Sequence, residues 1–164
     1  MLRLVELVAS ARDGRRVHGG AARSHSDEIG EEERMAHPNE ELVRRGYKAF
    51  GEGDMATLRS LYAPDAIHVA SGDNPFAREY KGIDEILGYY GKLAELTDDT
   101  FTVELESVSV EGDNKAVATH RSTAQRAGKT LDQDEFLTYT FSGGKISRIV
   151  ESQSDPAAYD EFWS

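Results

Sequence analysis

From Asn114 to Ser152 apolar and polar residues alternate through three segments separated by short turns, and no other feature of the chain restricts its fold as much. Val117, Thr119 and Arg121 occupy one parity; Ala118, His120 and Ser122 occupy the other. Period-two alternation marks a strand whose two faces meet different surroundings. Ala127-Gly128-Lys129 turns the chain, alternation resumes from Phe136 to Phe141, and Ser142-Gly143-Gly144-Lys145 turns it again into Ile146 to Ser152. Strands joined by such tight turns read as an antiparallel meander. One face carries His120, Tyr139 and Glu151 among small and apolar residues, the lining expected of a concave sheet that holds a ligand.

Upstream the periodicity is helical. Asn39 is expected as an N-cap, followed by Leu42, Val43, Gly46, Tyr47 and Phe50 at three- and four-residue spacing. Gly51-Glu52-Gly53-Asp54 stops that helix, and Asp54 caps a second with Met55, Leu58, Leu61 and Tyr62 as its apolar stripe. Ala63-Pro64-Asp65 ends it, a short strand is expected over Ala66 to Ala70, and Ser71 to Pro75 reads as a loop before a further short strand over Phe76 to Tyr80. Gly82 opens a third helix that buries Ile86, Tyr89, Tyr90 and Leu93. Phe101 to Val110 alternates into the meander through Gly112-Asp113-Asn114, and Asp155 to Trp163 is expected to form a terminal helix burying Tyr159, Phe162 and Trp163. Helices followed by long antiparallel strands define an α+β fold with helices on one face of a curved sheet.

Residues 1–36 differ in character: charged residues, a Gly19-Gly20 pair and few apolar side chains give too little burial to offset ordering. They are expected to form a mobile tail with at most a helical turn at Leu2 to Ser10 or Asp27 to Met35, ahead of a domain over 37–164; Met35 is an alternative start. His18 and His25 fall in the tail and are assigned no role. The net charge of −11 repels phosphate backbones and anionic lipid, so neither nucleic acid nor membrane is an expected partner. The absence of cysteine and of a long apolar run fits a soluble, cytoplasmic protein.

The string Gly51-Glu-Gly-Asp54, then Leu58, Leu61-Tyr62-Ala-Pro-Asp65, Tyr80-Lys-Gly82 before a helix, and Gly143-Gly-Lys-Ile146 before the last strand resembles the SnoaL-like polyketide-cyclase family. That family belongs to the nuclear-transport-factor-2-like superfamily, with ketosteroid isomerases and limonene epoxide hydrolases. The resemblance spans 38–164. It implies a cone, in which a bent sheet wraps about three helices around an apolar pocket, and a homodimer formed through the outer sheet face, here Val117, Thr119, Arg121, Thr138 and Thr140. It also locates two acids of the superfamily: the isomerase base falls on Ala70 and the shared strand acid near Leu137, neither of which can move a proton. A shift of register would bring in Glu135 instead. Epoxide hydrolysis is disfavoured, because Arg121 lies on the opposite parity from His120 and no strand aspartates bracket it.

Parity then selects the pocket. His68 shares a face with Ala70, His120 with Ala118 and Ser122, Glu135 and Tyr139 with Leu137, and Glu151 with Ile149. His120, Glu151 and His68 are the candidate catalytic residues; Tyr139, Tyr47, Tyr90, Glu135 and Leu137 are candidate ligand contacts, with Glu135 near the rim. A histidine changes charge close to neutral pH and suits proton transfer there. No local spacing supports a metal, and no cofactor is implied. Two functions follow. One is an isomerase, cyclase, lyase or hydrolase type of acid–base catalyst on a hydrophobic carbonyl-bearing molecule; the other is a non-catalytic ligand-binding or interaction module.

Overall fold

The computed structural model describes residues 36–164, so the expectations for 1–35, including Met35 as a start, lie outside the described residues. Pro38–Glu52 forms α1 and Met55–Leu61 forms α2. Gly53, at φ 68°, adopts the left-handed conformation that lets the chain leave α1 and enter Asp54, whose carboxylate accepts from the backbone N–H of Thr57. At the other end of α1 the cap is His37, not Asn39. Pro38 occupies the first turn, where no N–H is needed, His37 Nδ1 accepts from Asn39 N, and the buried Asn39 side chain instead donates to Asp113 O at 2.8 Å. The expected cap thus ties the start of α1 to the turn between the third and fourth strands.

The first strand begins earlier than its hydrophobic pattern suggests. β1 runs Tyr62–Ala70 through Pro64 and is followed by β2 (Arg78–Lys81), α3 (Ile83–Leu96), β3 (Thr102–Glu111), β4 (Lys115–Arg126), β5 (Lys129–Ser142), β6 (Lys145–Gln153) and α4 (Pro156–Trp163). Register shifts between Tyr62 and Ile67 on the β6 pairing absorb Pro64, which cannot donate to a ladder. Tyr62 therefore serves the strand, not the stripe of α2, and Met55 is exposed while Leu58 and Leu61 are buried.

The sheet has the order β2-β1-β6-β5-β4-β3; only the β1–β6 pair is parallel. Its curl has local causes. A bulge between Leu105 and Ser107 breaks the alternation of β3, which accounts for the irregular spacing of Val108 and Val110, and a second lies between Thr140 and Phe141. Helices α1 and α3 cover the face that bears Ala116, Ala118, Ala124, Leu131, Ile146 and Ile149, and α4 packs on β5 and β6. Small residues on β4 leave room beneath α1, whereas Trp163, Phe162 and Ile86 fill the ends of the core. No helix among the described residues is long and apolar enough to cross a membrane.

Ile86 is fully buried where α3 meets the sheet. Ile86→Ala is expected to lower unfolding free energy by about 2–5 kcal/mol, against less than about 0.5 kcal/mol for the exposed Met55→Ala. Urea denaturation of the two variants checks this, and equal losses would place the core elsewhere.

Candidate functional site

Alternation alone puts the two histidines under the sheet. In β4 the buried positions are Ala116, Ala118, His120, Ser122 and Ala124; in β1 they are Ala66, His68 and Ala70. Across the ladder His120 stands opposite Glu135, and Leu137 stands opposite Glu151. His68 is paired in register with Ile149, two residues from Glu151 on the same face. Each histidine therefore meets one carboxylate.

The pairs are wired alike. His120 Nε2 lies 2.9 Å from Glu135 Oε2, and His68 Nε2 lies 2.5 Å from Glu151 Oε1. A carboxylate oxygen accepts, so Nε2 carries the proton in each ring, and Nδ1 of the neutral ring accepts. A tyrosine hydroxyl donates to it in both cases: Tyr47 to His120 at 2.6 Å and Tyr90 to His68 at 2.8 Å. Behind Tyr90 stands Tyr62, hydroxyl to hydroxyl at 2.9 Å. Ser122 donates to Glu135 Oε2 and also lies 3.0 Å from His120 Nε2. Serine and carboxylate thus crowd the same ring nitrogen, which is not the serine–histidine–acid relay of an acyl-transfer triad, where they occupy opposite nitrogens.

The carboxylates differ. Glu151 accepts from His68 and from the Tyr89 hydroxyl, which is 3.0 Å from Oε1 and 3.4 Å from Oε2, and its backbone carbonyl takes the Ser71 hydroxyl. Glu135 takes both its donors on Oε2; its Oε1 is buried and has no partner among the described residues. Glu135 is only 5 % exposed, so it is not at the rim as its sequence position suggested. Neither Arg121 nor Arg148 neutralises Glu151: they pair with Asp132 and Asp134 and with Glu79 respectively.

These groups surround one cavity of about 60 Å³. All eight sequence candidates line it: His68, His120, Glu135, Glu151, Tyr47, Tyr90, Leu137 and Tyr139. The half-buried Gly46, Phe50, Phe101, Val103 and Leu137 form its mouth between α1, β3 and β5. Three lining residues were missed as site residues. Tyr89 and Tyr62 carried only packing signals, and Tyr159 arrives from α4, whose destination no strand periodicity encodes. Among the described residues no lysine or arginine lines the cavity and no three potential metal ligands come together.

Burial and the neighbouring Glu151 push the Tyr89 hydroxyl well above its ordinary range, and burial does the same to Tyr90 and Tyr139. Burial raises Tyr62 to about 12, against the opposing effect of the hydrogen bond it shares with Tyr90. Six neutral phenols therefore line the cavity at physiological pH.

A curled six-stranded sheet closed by helices around a cavity of paired histidines and carboxylates defines the class as an α+β domain of the cone-like type. The family model described as a SnoaL-like domain matches residues 43–149, and the chain belongs to that family. An uncharacterized protein of Mycobacterium tuberculosis is 40% identical over 124 residues, covering 76% of this chain and 95% of its own. The structure of Bal32a, from a soil-derived mobile gene cassette, superposes with a TM-score of 0.76 at 36% identity, over 77% of this chain and 97% of that one. An NTF2-like protein of Burkholderia xenovorans shares the fold with a TM-score of 0.67 at 19% identity, over 79% and 98% of the two chains.

The seven tyrosines give a spectroscopic test of this lining. A phenol whose folded pKa exceeds its unfolded one favours the native state fully below the unfolded value, about 10, and that contribution is lost as pH rises through the folded value. Tyrosinate absorbance is thus expected to stay low at pH 10–11 and to rise together with loss of near-ultraviolet circular dichroism. Ionisation of most tyrosines in a still-folded protein would contradict the assignment.

Proposed function

We propose that this SnoaL-like protein binds a hydrophobic, carbonyl-bearing small molecule and moves a proton on it by cofactor-independent acid–base catalysis of the isomerase or cyclase type. The observation that carries the reading is Glu135, a residue of the cavity lining whose buried Oε1 has no donor among the described residues. A buried carboxylate half-satisfied by the protein is costly unless a ligand or a moving proton completes it. His120 and Ser122 hold Oε2, which fixes the carboxylate plane and leaves Oε1 as the proton acceptor.

In this reading Glu135 takes a proton from the carbon beside the ligand carbonyl, and the electron pair of the broken C–H bond delocalises onto the carbonyl oxygen. Return of the proton to another carbon gives an isomer; attack of the carbanion on a second carbonyl gives a ring. The His68–Glu151 pair, saturated by Tyr89 and Tyr90, serves as the fixed polar wall and not as the base. Glu135, by parity a candidate ligand contact, thereby takes the catalytic role expected of His120, Glu151 and His68. A non-catalytic binding module would be expected to satisfy every inward polar atom, as Glu151 does and Glu135 does not.

The test is exchange of solvent deuterium into the α-carbon of apolar ketones, followed by proton NMR. The wild-type chain is expected to catalyse exchange, and Glu135→Gln to slow it by roughly 10²–10⁴-fold. A wild type that binds ketones without exchanging them would establish the binding module instead.

We also infer a homodimer through the outer sheet face. Val117, Thr119, Phe136, Thr138 and Thr140 are outward-facing yet only half exposed, a mixed apolar surface suited to association. Sedimentation equilibrium at micromolar concentration is expected to return twice the chain mass of 18.1 kDa, and monomer alone would refute it.

A further inference from the structure

We propose that Tyr159, brought to the cavity by α4, is the hydroxyl that recognises the ligand's carbonyl oxygen, so that the site selects neutral ligands carrying an acceptor close to the bond that Glu135 breaks. This rests on the pocket reading above and names the side of the ligand that reading leaves open.

The argument is one of elimination among the hydroxyls that line the cavity. Tyr47 and Tyr90 each spend their proton on a histidine nitrogen, Tyr89 spends its own on Glu151, and Tyr62 shares a hydrogen bond with Tyr90. The Ser122 proton goes to Glu135. Tyr139 lies within hydrogen-bond reach of Tyr47, which leaves Tyr159 as the lining hydroxyl with no acceptor among the described residues. Tyr159 lines the same small cavity as Glu151 and Glu135, and both carboxylates act on its hydroxyl. A donor beside the base is where a carbonyl oxygen must sit if the adjacent carbon is to reach Glu135.

The position is held firmly, as an orienting group requires. Tyr159 is 4 % exposed. The next residue, Asp160, accepts from Asp73 N at 3.0 Å and from Asn74 Nδ2 at 2.8 Å, which pins α4 to the loop after β1. At the far end Arg126 donates to the carbonyl of Phe162 and Lys129 to that of Glu161, capping the helix with positive charge. At the near end Asp155 N donates to Gln133 Oε1. Five strand or loop residues thus fix one phenol against the cavity.

The same lining sets the ligand's charge. Two carboxylates and no lysine or arginine face the cavity, so an anionic ligand would be repelled and a neutral carbonyl compound accepted.

The experiment compares two probes of nearly equal shape, cyclopentanone and methylenecyclopentane, by protein-observed NMR titration of the full chain and of Tyr159→Phe. The wild type is expected to favour the ketone by roughly two- to tenfold, one net hydrogen bond. In Tyr159→Phe, which loses only an oxygen atom, the preference is expected to disappear while the alkene binds as before. A preference that persists in Tyr159→Phe overturns the assignment of Tyr159 and leaves the pocket reading standing. A wild type that binds neither probe overturns both.

Discussion

Two carboxylates lie under the sheet of this domain with no lysine or arginine beside them, and much of the interior is arranged to meet their demand for hydrogen-bond donors. Removing a carboxylate from water is expensive unless donors replace the water. Here the replacements are imidazole N–H groups, a serine and tyrosine hydroxyls, drawn from β1, β4, α1 and α3. Tyrosine suits this role because its ring fills core volume while its hydroxyl completes the polar circuit. The aromatic packing continues outward: Tyr89 stacks on Tyr80 with centroids 4.3 Å apart, and the Arg78 guanidinium lies 4.0 Å from the Tyr80 ring centre. One interaction thus fixes which side chains α3 must turn inward.

Most of this was legible because a strand encodes its faces in steps of two. His68, His120, Glu135, Tyr139 and Glu151 followed from parity, and Tyr47 and Tyr90 from helical spacing, and all line one cavity. What parity cannot encode is depth along a strand. Glu135 looked like a rim residue because it stands near a turn in sequence, but β5 is 14 residues long and the curled sheet brings that part of it beneath α4. Nor does periodicity say where a terminal helix docks, so Tyr159 read as core. The cap of α1 failed for a different reason: Asn39 is a good capping residue in isolation, but Pro38 moves the helix start back to His37 and frees Asn39 for Asp113.

Membership of the SnoaL-like family fixes the frame and leaves the chemistry to the side chains, as expected where one fold hosts many sites. The two positions at which the family resemblance looks for acids hold Ala70 and Leu137. In the sheet Leu137 stands directly opposite Glu151, so the row that lost an acid on β5 has one on β6. The other inward titratable groups are displaced to either side of that row: Glu135 is opposite Gln153 and His68 opposite Ile149.

That displacement explains why the two histidine–carboxylate pairs are unequal. From the Ile149 row to the Gln153 row is four residues, about 13 Å at roughly 3.3 Å each. Glu151 sits midway, reached by His68 from one row and by Tyr89 from the helix above, and both its oxygens are engaged. Glu135 lies at the far row, where its cross-strand neighbours are His120 on one side and Gln153 on the other. Gln153 Nε2 is also buried without a partner, so neither neighbour of the pair completes the other although the ladder sets them side by side. A structural ion pair would be expected to close that gap by a side-chain rotation. An open carboxylate oxygen and an open amide donor instead stand on paired positions of adjacent strands, both without a partner among the described residues.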